Sequence, residues 1–553
     1  VSDSSAGRGA PDGVGRVSRP DVVVVGGGVA GLVAALECAR VGLRVTVLER
    51  RDELGGCVGR IELDGLTLDS GAESFAMRGG SVAELLERLG LADDIVDPNP
   101  AGAWLVWGRE RGLETRPTPS GAPRATQVNA APLPKTGMLG IPANPLGDDV
   151  RRIIGWGGAW RAYLDRIMPI LTIGRSHSLG KLVRSRMGTA VLDKLVTPIS
   201  AGVYSTDPDD LDLDVVAPGL NQAMTRMGSL SGGVADLVEG RRAGAAVRGI
   251  RGGMHRLVDT LVAELARFDV TVMTGAEVTG LTRVQVEAPV GEANGGEVEA
   301  WRVTAVRRGA EADAGETAEG DVGAVPGAAL GADDVVGGAD AATIEFTALD
   351  VVLAAPAHTS LGLVGEAVEG WRSADEWPAA ASVELVTLVL DAPALAAAPR
   401  GTGVLVAAGT PGVTAKALTH SSAKWAWLGE AAEGRQVIRL SYGRLGTSNP
   451  LDGRPDDDVA ALALADASTI LGVDLDARML RAAGRSAWRD ALSHAALGQR
   501  DRVRALEDVV AAQPGLEVTG SWVAGTGLAS VVPHALEVAH RIRHRRVSVA
   551  GDA

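Results

Sequence analysis

Three glycines and one acid carry the first recognisable chemistry in this chain. Gly26, Gly28 and Gly31 stand in Gly26-Gly27-Gly28-Val29-Ala30-Gly31, a G-x-G-x-x-G, and Glu49 closes the next apolar run. Glycine at 26 and 28 permits a tight turn and lets a backbone approach a pyrophosphate; Gly31 lets a helix pack on a strand. Free N–H groups at a helix N-terminus favour phosphates, and an acid at the end of the second strand can bind both hydroxyls of a ribose. The elements needed to hold these residues are present in register. Val22–Val25 reads as a buried parallel strand, Ala30–Ala39 as a helix and Val45–Leu48 as a second strand. A dinucleotide site is the expectation.

Composition narrows the class. Arg16 and Arg19 ahead of an apolar stretch suggest a signal peptide, but glycines and Glu37 interrupt that stretch and Val45–Glu49 follows at Rossmann spacing. No run approaches the length of a membrane span, so a soluble, cytoplasmic protein is expected. Two cysteines, Cys38 and Cys57, exclude a disulfide framework, and no Cys/His cluster suggests a metal. A formal net charge of −15 argues against nucleic acid. More than half of that charge sits in Glu311–Asp340, which has eight acids and no Lys or Arg. No Ser/His/Asp or Cys/His pattern and no spaced carboxylate pair appears. His358 and His420 stand at strand ends, and ordinary surface or core roles are expected for both.

Along the chain, residues 1–20 read as a disordered tail. Ile61–Asp69 alternates like a hairpin around Asp64-Gly65, and Ser81–Gly90 is an amphipathic helix. Arg116–Ala131 reads as a loop insertion. Asp149–Ile173 has helical spacing with Trp156, Trp160 and several arginines. Such a helix can lie on a membrane surface; packing on the protein is the expectation, with weak membrane contact kept open. Leu179–Leu195 reads as one helix, followed by a Pro/Gly/Asp-rich segment to Pro218. Val298–Val306 and Thr343–Ala348 read as strands flanking a disordered acidic loop. Ser382–Leu390, Val437–Tyr442 and Arg481–Trp488 alternate like strands, with a helix at Asp457–Leu471. The glycine turn Gly525–Leu528 leads into a last helix, Ala529–Ile542.

These motifs resemble a known group. Glu49-Arg50 followed by Gly55-Gly56 resembles the glycine doublet of the flavin amine oxidase superfamily. Asp69-Ser70-Gly71-Ala72-Glu73-Ser74-Phe75 is similar to a segment of bacterial oxygen-dependent coproporphyrinogen III and protoporphyrinogen oxidases. So are Leu133-Pro134 with Gly140-Ile141-Pro142, Pro198–Tyr204 with Asp207-Pro208, Ala423-Lys424-Trp425, Arg439–Arg444 and Ala524–Leu528. The matches run in family order from about residue 21 to 540. The pattern departs from the family at Cys57, where a basic residue is usual, and at Ser493-His494-Ala495 and Gly498-Gln499.

The resemblance implies an α/β protein: a Rossmann-type FAD-binding domain, a mixed α+β substrate domain and a mostly helical third domain. The FAD domain would comprise 21–104, 236–308, 343–361 and 514–546. The substrate domain would comprise 105–142 and 362–513, the helical domain 143–235, and the acidic insert 309–342. FAD would be held by Gly26, Gly27, Gly28, Val29, Ala30 and Gly31 at the pyrophosphate, and by Glu49, Arg50 and Cys57 nearby. Gly71, Ala72, Glu73 and Ser74 would pass the flavin and Val278 would offer backbone to the adenine. Trp488, Thr526, Gly527 and Leu528 would close over the isoalloxazine. Arg78, Lys424 and Arg444 are the substrate-binding candidates, because a propionate suits a cation.

The implied reaction removes six electrons from a cyclic tetrapyrrole in three two-electron steps, with dioxygen as acceptor and hydrogen peroxide as product. No catalytic side chain is assigned. Coproporphyrinogen III is favoured over protoporphyrinogen IX. A flavin amine or carotenoid oxidoreductase and a non-catalytic tetrapyrrole-binding flavoprotein remain alternatives, and contact with heme-pathway enzymes stays open.

Overall fold

The computed structural model describes residues 19–108, 128–135, 137–168, 176–239, 247–287, 297–308, 342–371, 377, 381–491 and 495–551. The expected tail (1–18), most of the insertion at 116–131, the acidic stretch 309–341 and Ser493-His494 lie outside them.

The all-valine run Val22–Val25 is fully buried and forms the centre of a five-stranded parallel sheet. Its neighbours are Val45–Leu48 on one side and Asp350–Leu353 on the other, with Thr271–Met273 and Leu516–Val518 at the edges. Strands distant in sequence thus complete one Rossmann-type sheet. Every side chain of Val22–Val25 and Val45–Leu48 is buried because both faces are covered. The helices Val29–Ala39, His255–Arg267 and Leu528–Gly551 share one apolar cluster. The opposite face carries a three-stranded antiparallel sheet, Ala276–Glu287, Glu297–Arg307 and Ala342–Ala348. The strands expected on either side of the acidic stretch therefore pair directly, with Arg307 opposite Ala342.

Arginines on Leu528–Gly551 tie the C-terminal helix down. Arg541 and Arg545 pair with buried Glu517, Arg545 and Arg546 with buried Asp350, and Arg543 with Glu37. That docking carries the start of the helix to the G-x-G-x-x-G end of the sheet.

A seven-stranded sheet runs in the order Leu480–Ala491, Ala381–Leu390, Gln436–Tyr442, Ala417–His420, Gly403–Val406, Ala103–Trp107, Asn129–Pro132. Asn129–Pro132 is thus an edge strand, where a loop was expected. The helix Asp456–Leu471 covers one face.

The helical unit differs from expectation in three places. Gly188 (φ 88°, ψ 173°) ends Leu179–Met187, so the expected single helix is broken, and helical turns resume beyond it to Val203. Pro198, whose lack of an N–H removes one intrahelical bond, closely follows the wider turns of Leu192–Val196 in this run. The helix Leu230–Glu239 crosses the expected boundary at 236, and its Leu237 and Val238 pack with the helical core. In Asp148–Tyr163, Gly155 interrupts the helix. The helix packs on the protein as expected, through Val150, Ile153, Ile154, Ala159 and Ala162, but Trp156 and Trp160 stay 60% and 54% exposed. His420 is a buried core histidine bonded to Gln436, and His358 lies at the surface.

Candidate functional site

The glycine run turns from Val22–Val25 into Val29–Ala39 with Gly26 at φ 107°, a conformation an L side chain rarely adopts. A Cβ on Gly31 would lie 2.0 Å from the Gly26 carbonyl oxygen, so the helix needs glycine to approach the strand. Gly28 is different. Its backbone is ordinary extended chain (φ −72°, ψ 171°). A Cβ there would find no protein atom nearer than Gly56 Cα at 4.0 Å. Neither conformation nor the described packing demands glycine at 28, so its backbone is open to a group that is not part of the described chain. Val29 and Ala30 are buried as the helix begins. Glu49 sits at the end of Val45–Leu48, where one carboxylate oxygen accepts from Gly27 N (2.6 Å) and the other from Arg51 N (2.9 Å). Each oxygen keeps a lone pair for a hydroxyl. Arg50 is exposed beside it. Ala276 N donates to the Glu49 carbonyl, and the strand it opens has a register shift between Val278 and Gly280. Val278 is thereby brought near Glu49.

The glycine doublet folds back onto this turn, with Gly55 N donating to Gly27 O at 2.8 Å. Cys57 follows. It is exposed by area, yet the atoms around it desolvate its thiol and push it up, against the pull of Arg51. Ala72 N donates to the Cys57 carbonyl (2.9 Å), and a Cβ on Gly71 would clash with that carbonyl and touch the Trp488 indole at 3.2 Å. Gly71, Cys57 and Trp488 therefore meet, although 431 residues separate the ends of that trio in sequence. Trp488 Nε1 is buried and donates to nothing among the described residues, while Arg51 lies over its ring at 5.0 Å. Ser74 is half-buried in the same loop, and Thr526 and Gly527 are exposed at the mouth of the last helix with Leu528 tucked beneath.

Glu73 and Lys424, one expected at the flavin and the other at the substrate, bind each other instead. Lys424 Nζ lies 2.6 Å from Glu73 Oε1, Arg439 Nη2 3.2 Å from Glu73 Oε2, and Ser421 Oγ donates to Oε2 at 3.1 Å. Burial alone would push the Glu73 carboxyl up, but Arg439, Lys424 and Ser421 together outweigh it and hold it at about 2. The Lys424 ammonium is committed to this internal pair.

The other two cations are not paired with acids among the described residues. There, exposed Arg78 donates only to Ser530 Oγ (3.1 Å), at the start of the C-terminal helix. Burial pushes the Tyr204 hydroxyl up, and nearby Arg78 opposes that shift. Arg444 is half-buried, and its guanidinium has no hydrogen-bond or ion-pair partner among the described residues. Burial lowers its guanidinium, with Asp207 acting in the opposite direction. Beside it, buried Lys416 donates to Ser205 Oγ (2.6 Å) and Gly443 O (2.7 Å). Burial and then Arg444 draw the Lys416 amine down to about 7.

A family description for flavin-containing amine oxidoreductases matches residues 29–542. The chain belongs to that family. Among this oxidoreductase's relatives is the coproporphyrinogen III oxidase of Propionibacterium freudenreichii, 25% identical over 95% of this chain and 91% of the relative. The Mycobacterium bovis protein of the same name is 27% identical over 92% and 94%. A crystal structure from Exiguobacterium sp. 255-15, provisionally named a protoporphyrinogen oxidase, superposes with TM-score 0.71 at 22% identity, covering 95% of this chain and 98% of that one.

FAD is the cofactor of this flavin-containing oxidoreductase, and the crevice fits it. The room for a side chain at Gly28, the spare acceptor capacity of Glu49 and a Trp488 Nε1 without a partner among the described residues are each compatible with such a group. No group of acids, histidines or cysteines that could hold a metal exists among the described residues. Reading the sequence passed over Arg51 in favour of Arg50, and gave Arg439 and Lys416 no role. Arg439 had a visible signal: it is a charge inside the apolar strand Gln436–Tyr442.

Proposed function

We propose that this oxidoreductase takes coproporphyrinogen III to coproporphyrin III. The observation that carries the reading is the pair of cations Arg78 and Arg444, which have no acidic partner in contact among the described residues, around Tyr204 and Lys416. Four propionates need such partners more than the two on protoporphyrinogen IX do. Guanidinium groups without a carboxylate in contact, Arg444 half-buried and Arg78 exposed, suit them, since charge-assisted hydrogen bonds are the strong ones. The names of the curated relatives support the same choice.

When bound, FAD supplies a two-electron acceptor that dioxygen regenerates. Gly26–Gly31 would receive its pyrophosphate, Glu49 its ribose and Val278 its adenine, with Arg50 and Cys57 alongside. Trp488, Gly71–Ser74 and Thr526–Leu528 would wall the isoalloxazine from water, while Arg78 and Arg444 orient the substrate's carboxylates. Three two-electron oxidations remove six hydrogens, and three dioxygen molecules leave as three hydrogen peroxides. The proposed FAD, substrate and helical domains divide as in the sequence reading, with the helical unit extended to Glu239. Protoporphyrinogen IX is the second reading, because the apolar part of the macrocycle is common to both. No described helix is long and apolar enough to cross a membrane. Exposed Trp156 and Trp160 favour contact with a membrane surface instead.

Turnover of the two porphyrinogens by FAD-loaded protein, followed by porphyrin fluorescence and peroxide release, tests the proposal. Faster oxidation of protoporphyrinogen IX would transfer the assignment to the second reading. No porphyrin from either would end both.

A further inference from the structure

Arg439 joins two parts of the molecule that must be held in register. It lies on Gln436–Tyr442, inside the seven-stranded sheet, and its side chain is 10% exposed. Nη1 donates to the carbonyls of Gly71 (2.7 Å) and Asp69 (3.2 Å), and Nη2 reaches Glu73 Oε2 at 3.2 Å. Residues 69, 71 and 73 thus turn three acceptors toward one guanidinium. The loop's other side is held by the cofactor crevice: Ala72 N bonds Cys57 O, and Gly71 packs against Trp488. Lys424 and Ser421 add to the grip on Glu73, but Arg439 also binds the main chain. A planar fork with several fixed donors can serve three acceptors at once; an ammonium group cannot do so in the same geometry.

We propose that Arg439 is a positioning residue, which sets the loop Asp69–Ser74 between the substrate sheet and the cofactor crevice and so fixes the separation of substrate and FAD. It touches neither reacting partner. Transfer between two bound groups is steep in distance, and a displacement of about 1 Å can cost about 10²-fold in rate. The rate consequence rests on the porphyrinogen reading; the effect on the cofactor's surroundings does not.

The experiment uses FAD-loaded Arg439→Lys and Arg439→Met, with FAD content, melting temperature, visible circular dichroism of the bound flavin, and kcat and KM for coproporphyrinogen III. In Arg439→Lys, which keeps the charge, FAD content is expected to hold while the flavin dichroism shifts. kcat per bound FAD is expected to fall by about 10²-fold with little change in KM. Unchanged dichroism and unchanged kcat per FAD would overturn the proposal. So would a loss of activity that only tracks lost FAD. If Arg439→Met does not fold, Glu73→Gln keeps the test open: it should weaken the grip without removing the arginine and give a smaller shift of the same sign. A wild-type protein inactive on both porphyrinogens would refute the functional reading alone, and the dichroism would still decide the role of Arg439.

Discussion

The Lys416 ammonium nitrogen lies 2.6 Å from the Ser205 hydroxyl, joining the loop ahead of Ala417–His420 to the end of Thr197–Val203. Burial and then Arg444 lower its pKa from 10.5 to about 7. Below pH 7 both folded and unfolded chains carry the proton, and the fold bears the full cost of a buried charge. Between about 7 and 10.5 the unfolded chain binds a proton that the folded one does not, so stability rises with pH. Lys416→Met should remove this slope. Its melting temperature relative to wild type should be most favourable at pH 7 and least favourable near pH 10; parallel curves would contradict the assignment.

Gly28 and Gly31 should respond oppositely to added side chains. Gly28→Val has room within the protein, so the apoprotein should fold with a melting temperature near wild type while FAD retention is abolished. Gly31→Val drives a Cβ into the Gly26 carbonyl at 2.0 Å and should unfold the chain whether or not FAD is present. Thermal melts with a flavin absorbance spectrum separate the two. Normal FAD content in Gly28→Val would mean that the open position serves something else.

Lys424 and Arg444 make a similar contrast. Lys424→Met leaves Glu73 with Arg439 and Ser421, and should cost roughly 1.5–3 kcal/mol of stability, typical for a hydrogen bond to a charged group. Its KM for coproporphyrinogen should barely move. The stabilisation of ionised Glu73 is present above its ordinary value of 4.5 and is lost as pH falls toward 2, so the penalty should shrink over that window. Arg444→Ala and Arg78→Ala should leave the melting temperature nearly unchanged and raise that KM about tenfold, the effect of roughly 1.4 kcal/mol. The four-propionate substrate should suffer more than the two-propionate one. A raised KM in Lys424→Met would show that this lysine reaches substrate after all.

Replacing 309–341 by a short Asn-Gly turn should preserve folding and activity. Arg307 and Ala342 already face each other across an antiparallel ladder, so a tight turn can join them. Calorimetry and turnover of the shortened protein check this; failure to fold would show that the acidic stretch packs on the domain.

What the sequence determined by itself was local. Val22–Val25, the glycine run, Val45–Leu48 and Glu49 lie within thirty residues, and turn geometry, helix packing and burial constrain each residue type there. The hairpin around Asp64-Gly65 and the helix Asp456–Leu471 were legible for the same reason: period and turn chemistry are properties of adjacent residues. Family resemblance extended the reading to the cofactor. Only the tertiary structure decided how charges pair over hundreds of residues. Glu73 and Lys424 both looked available for ligands, yet 351 positions apart in sequence they neutralise each other. Arg444 looked no different from Lys424, but the fold half-buries it without an acid in contact among the described residues. Trp156 and Trp160 show the same limit, because helical spacing cannot say whether anything packs on the face it creates. Burial and pairing depend on which distant surfaces meet, and a linear pattern of residue types does not encode that directly.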